Sequence, residues 1–299
     1  MIRFLTTSVR RCAMSSAILL WTVAAPTISA DAQEWTIREA ARNGTSSAAV
    51  RQAADELLRR NTLDALLATA EPGAEWIDEA RQAVEQWLTL KRSGHVFEWP
   101  EVRASWQSIV DLHRKVKAPI TRQMLGEVMK DGKEESWYTQ IRRIEHDPKR
   151  YPVPTLLKVR NALMLIDGEQ DESLFWAHKS LGYDALVELL AEEKPTGVLE
   201  QAIFREYVEP LLNASGEHIK GIQRKLDQHI GGAEATGVSP WMRNMMWGVF
   251  HVNAAWVARS AVEASEVGED QWEAFHEHLG TAAEHLIAAH ELHPDRPAA

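Results

Sequence analysis

The sequence predicts an all-α fold, an irregular multi-helix bundle. Alternating runs of Val, Ile, Thr and aromatic residues, the mark of strands, are absent. Apolar residues instead recur at helical spacing from residue 46 almost to the end. No fixed period recurs along the chain, which argues against a solenoid of stacked repeats. The composition is that of a globular protein, with 299 residues, 45% hydrophobic and 25% charged.

The first element is an address. Arg3, Arg10 and Arg11 precede an uncharged stretch over residues 12–30, with its apolar heart at 17–25. Pro26 breaks that run, and Ala30-Asp31-Ala32 follows as a small-x-small cleavage site. Basic, apolar and small segments in that order form a secretory signal peptide, assigned to residues 1–32. The apolar run is shorter than the roughly 20 residues of a comfortable membrane span. An uncleaved anchor and a buried N-terminal helix are the other two readings. A cleaved signal implies a periplasmic or secreted protein with no stable transmembrane span.

Helices are expected next over residues 46–60 and 62–70, the second stopped by Glu71-Pro72-Gly73. A third is expected over 76–90, with Ala80, Ala83, Val84, Trp87 and Leu88 facing inward. Later helices read as 174–191, 198–212 with Thr196 as N-cap, and 218–230. Residues 231–237, rich in Gly and Ala, read as a linker. Ser239-Pro240 then opens a long helix reaching about residue 263, a capping Ser followed by Pro at the first helical position. The last helix runs over 269–292, closed by His293-Pro294, with a frayed tail at 295–299. Grouped by composition, the chain divides into 1–32, an N-terminal helical segment 33–100, a basic segment 101–170 and an acidic bundle 171–299.

Charge and residue usage narrow the function. The chain carries a net charge of −10, and removing residues 1–32, with three Arg and one Asp, leaves the rest at −12. Such a protein does not coat nucleic acid or anionic membrane as a whole. Cys12 is its one cysteine and lies in the signal, so the mature chain forms no disulfide. Phosphate-binding Gly-rich loops, Gly-x-Ser-x-Gly elbows, cysteine nucleophiles and haem motifs are missing. A triad of residues scattered in sequence stays open, but the reading leans away from an enzyme, and no cofactor is expected.

Two groups of residues stand out towards the C-terminus. The final helix is crowded with Glu and His, and Glu273 and His276 have the i, i+3 spacing of carboxylate-bridged metal bundles. With His251 from the preceding helix they are the candidate metal ligands, set against a simple solvated face. Tryptophan is abundant, 12 against 6 Phe and 4 Tyr, which suits helix packing. The helix opened by Ser239 carries Trp241, Trp247, Phe250 and Trp256 and reads as the central core helix. Where it is exposed, those four residues are the candidate partner surface.

Residues 106–166 hold a further pattern. Residues 108–116 read as one helix, Ile120-Thr121-Arg122-Gln123-Met124-Leu125-Gly126-Glu127 as a second, and Ile141-Arg142-Arg143-Ile144-Glu145 as the end of a third. Lys149-Arg150-Tyr151-Pro152 turns into a fourth over 155–163. This order resembles the Cro/C1 (XRE-type) helix-turn-helix family over about a fifth of the chain. Residues 103–160 carry 13 Lys and Arg against 7 Asp and Glu, a basic island in an acidic protein. The resemblance implies a DNA-reading helix over 136–143, with Arg122, Gln140, Arg142, Arg143, Lys149 and Arg150 as DNA or anion contacts. Two features set this chain apart from that family. Residues 130–135 lengthen the turn before the third helix and place Glu134 and Glu135 beside it, and the export signal puts the segment on the side away from DNA.

The preferred reading is an exported, non-catalytic binding or accessory protein whose partner is a protein or envelope component. A helix-turn-helix regulator that binds nucleic acid is the second reading, and a metal-binding helical bundle the third.

Overall fold

The computed structural model describes residues 47–68, 75–93, 100–116, 118–128, 153–168, 171–213, 218–231 and 237–296. Every regular element among them is a helix, so the fold is all-α. In order these are α1 (Ser47–Leu67), α2 (Ile77–Ser93), α3 (Pro100–Val116), α4 (Pro119–Val128), α5 (Thr155–Gly168) and α6 (Glu172–Glu193). They continue as α7 (Gly197–Ile203), a π turn (Phe204–Val208), α8 (Glu209–Leu212), α9 (Ile219–Ile230), α10 (Pro240–Arg259) and α11 (Glu269–Leu292). None of the helices among the described residues is long and apolar enough to cross a membrane. The signal-like residues 1–32 lie outside the described residues.

Local chemistry accounts for the boundaries. Asp171 caps α6, its carboxylate accepting from the Ser173 and Leu174 amides. Ser239 caps α10, its hydroxyl accepting from the Met242 amide with Pro240 next in line, as the sequence led us to expect. The helix ends earlier than expected, at Arg259, because Ser260 turns to a positive φ of 63°. The two helices expected over 46–60 and 62–70 are one, α1. Asn61, between the two expected helices, donates from its amide to the Leu57 carbonyl a turn back and stays inside the helix.

The chain from Gly197 to Leu212 bends through its π turn for a reason visible in the sequence. Pro210 lacks an N–H, and its ring would clash with the carbonyl four residues back. The backbone widens just before it, the Glu209 amide reaching the Phe204 carbonyl.

A continuous apolar core joins these helices. Trp87 and Leu88 of α2, Leu112 of α3, Met124 of α4, Leu156 of α5 and Leu186 of α6 are fully buried in it. Phe204 of the π turn, Leu226 of α9 and Phe250 of α10 complete it towards the C-terminus. The basic segment and the acidic segment therefore share one interior, with α5 packed lengthwise on α6. Helices α10 and α11 form an antiparallel hairpin, the most extensive helix pairing among the described residues.

The C-terminal carbonyls of α8 are satisfied from neighbouring helices. The Tyr183 hydroxyl donates to the Leu211 carbonyl at 2.9 Å, the Asn253 amide to Leu212 at 3.1 Å and the Lys179 ammonium to Asn213. The chain end is also held. Arg296 makes a buried ion pair with Glu200 and lies 4.9 Å over the Trp241 ring, where a frayed tail was expected. Residues 297–299 lie outside the described residues.

Candidate functional site

The α10–α11 hairpin gathers most of the residues with chemical potential. Its close approach depends on Gly248, where a Cβ would sit 2.6 Å from Leu286 of α11. Along the seam, residues rising in number on α10 meet residues falling in number on α11. Asn244 meets His285 at 3.0 Å, from Oδ1 to Nδ1. Two turns on, His251 meets His278, with 3.0 Å between the two Nδ1 atoms. Nearest the loop, Trp256 meets Phe275 and Arg259 meets Trp272.

The His251–His278 pair has a defined proton arrangement. One Nδ1 donates and the other accepts, so the two rings cannot both be charged without losing the bond. His251 is half-buried, with its ring near Trp247, Phe250 and His285. Burial first, and then the charges on His278 and His285, pull its pKa down to about 4. Burial likewise lowers that of His285. The His251 ring is therefore neutral near pH 7.

Metal ligation by the expected trio finds no support in this geometry. His276 and His278 are two residues apart and so lie on opposite sides of α11. His278 faces α10, whereas His276 is exposed and stacks on Trp272 at 5.9 Å, and Glu273 is exposed. Among the described residues no group of three or more His, Cys, Asp or Glu is placed to hold a metal ion.

The four aromatic residues proposed as a partner surface separate into two sets. Trp241 and Phe250 are core residues, 3% and 1% exposed, and present no docking surface. Trp247 is half-buried against Phe250 and the histidines. Trp256 is 43% exposed, at the loop end of the hairpin. There it meets Phe275 edge-on at 5.4 Å, and Phe275 meets Trp272 edge-on at 5.6 Å. The Arg259 guanidinium lies 5.4 Å over Trp256 and 5.5 Å over Trp272. Among the described residues no carboxylate forms an ion pair with it. Glu263, Glu266, Glu269 and Asp270 are exposed around this aromatic knot.

Of the residues implicated by the helix-turn-helix resemblance, Arg122 is exposed on α4. Gln140, Arg142, Arg143, Lys149 and Arg150 lie outside the described residues. The neighbouring Gln123 is buried, its amide donating to Asn161 of α5 at 2.5 Å. Several basic residues of the island are engaged within the protein. Arg114 pairs with Asp111, Lys115 with Glu79 and Lys158 with Glu188. Arg160 is buried over the Trp87 ring.

No family model, curated protein or solved structure matches this chain.

Proposed function

We propose that this chain is an exported, non-catalytic binding protein that meets a protein partner through the α10–α11 hairpin. The observation that carries the reading is the aromatic knot at the hairpin's loop end, where exposed Trp256 meets half-buried Phe275 and Trp272, with Arg259 over the two tryptophans. Large aromatic side chains with an arginine are the residue types that dominate binding energy at protein interfaces. Here they sit on two helices fixed by tight packing at Gly248, so little ordering entropy remains to be lost on binding. The signal-like N-terminus supports the address.

The test is photo-crosslinking in intact cells that make the natural protein. A photoreactive phenylalanine at position 256 is expected to yield a discrete adduct. The same group at position 224, exposed on α9, is expected to yield none. Equal adducts from both positions, or none from either, would remove the hairpin as the binding surface. The regulator reading has weaker support, since Arg160 of its island is buried over Trp87 and Arg114, Lys115 and Lys158 form surface ion pairs with neighbouring carboxylates.

A further inference from the structure

The surface of α11 extends the aromatic knot into two parallel strips. Trp272, Leu279, Ala283 and Ile287 follow one another at spacings of seven, four and four residues, which keeps them on one side of a helix, with His276 and His290 set among them. This side is not the one packed on α10, which is marked by buried Ala282 and Ala289 and by Leu286 against Gly248. The stripe is partly open to solvent, and Ile287 is 54% exposed. Beside it, Glu273, Glu277, Glu284 and Glu291 recur at spacings of four, seven and seven and are all exposed. None of the four forms a salt bridge among the described residues. A mainly apolar stripe thus runs beside a ridge of four carboxylates that have no salt-bridge partner among the described residues.

Resting on the binding reading above, we propose that the outward face of α11 docks an amphipathic basic segment of the partner protein. Apolar side chains of that segment cover the stripe, and its Lys or Arg side chains meet the ridge. Three observations select this occupant. The stripe keeps to one side of α11 over about four turns, a length that a helix-like segment can follow. The ridge repels an acidic segment and an anionic membrane. At the loop end, Arg259 already sits between Trp256 and Trp272, and its stacking shows that those rings accept a guanidinium. The partner's cations extend that arrangement along the helix.

Titration calorimetry on the purified mature chain tests this with synthetic 18-residue peptides. One peptide combines Leu and Lys on opposite helix faces, a second has the same composition scrambled, and a third has Glu for Lys. The amphipathic basic peptide is expected to bind at least tenfold more tightly than either control. Ile287→Glu is expected to weaken it about tenfold. Glu277→Lys with Glu284→Lys is expected to weaken it similarly and to gain binding of the Glu peptide. Both variants lie on exposed positions, and circular dichroism checks that they fold. Equal binding of the basic and scrambled peptides, or binding unchanged in the variants, overturns the proposal. Preference for the Glu peptide overturns the charge assignment but leaves the hairpin as a binding surface. If no peptide binds and position 256 also gives no adduct, both readings fall.

Discussion

At the scale of single residues, Lys179 is the most unusual group. It is fully buried, donates to the Asn213 carbonyl and lies 5.3 Å from the Phe175 ring. Burial lowers its pKa from 10.5 to about 8. Between those values the unfolded chain holds a proton that the folded chain has released, so folding stability rises with pH across that window. The shift corresponds to about 3 kcal/mol. Chemical denaturation of the parent chain and Lys179→Met at pH 7.5 and 10.5 checks it. The difference between the two is expected to move by that amount in favour of the parent, and a difference independent of pH would contradict the assignment. Arg296 poses the opposite case. Its loss leaves the Glu200 carboxylate, 2% exposed, with Ser239 but no countercharge. Arg296→Ala is expected to cost about 3 kcal/mol, and adding Glu200→Gln is expected to recover much of it. The caps at Asp171 and Ser239 could be read from sequence because a cap acts within three residues. Arg296 could not, since its partner lies 96 positions away.

At the scale of elements, the α10–α11 hairpin responds to acid. The folded His251 stays neutral until pH falls to about 4, whereas an unfolded histidine charges near 6.5. As pH falls through that interval the unfolded chain takes up a proton that the folded chain refuses, and the hairpin loses stability. Thermal melts between pH 7.5 and 4.5 should show a falling Tm, with a shallower slope in His251→Asn. Parallel slopes would show that His251 does not carry the effect. Gly248→Ala drives a methyl group into Leu286 and is expected to cost about 1–3 kcal/mol, measured by urea denaturation. The two helices could be read from their spacing and their Ser-Pro and His-Pro punctuation. Their register could not, because periodicity assigns residues to faces without saying which opposing residue each meets. Spacing alone therefore groups His251 with His276, whereas His278 is the histidine on the side facing α10. The core role of Trp241 and Phe250 was legible as hydrophobicity around the circumference of α10. The exposure of Trp256 was not legible, because the apolar pattern of α10 does not distinguish it from its buried neighbours.

At the scale of the whole molecule, the all-α class followed from period alone, and the continuous core shows why the compositional blocks did not become separate interiors. Residues 103–160 are basic and 171–299 acidic, yet α5 and α6 bury one apolar surface between them, and Lys158 pairs with Glu188 across it. Among the described residues the carboxylates on the outward face of α11 have no salt-bridge partner, which favours that face for recognition. The central claim is that a helical protein outside the cytoplasm meets its partner through this hairpin. Intact-mass spectrometry of the chain crosslinked from position 256, taken from each cell fraction, tests it most directly. The account predicts an extracytoplasmic species that begins at Asp31 or Gln33 and carries the mass of a protein partner. A full-length chain found in the cytoplasm without an adduct would contradict it.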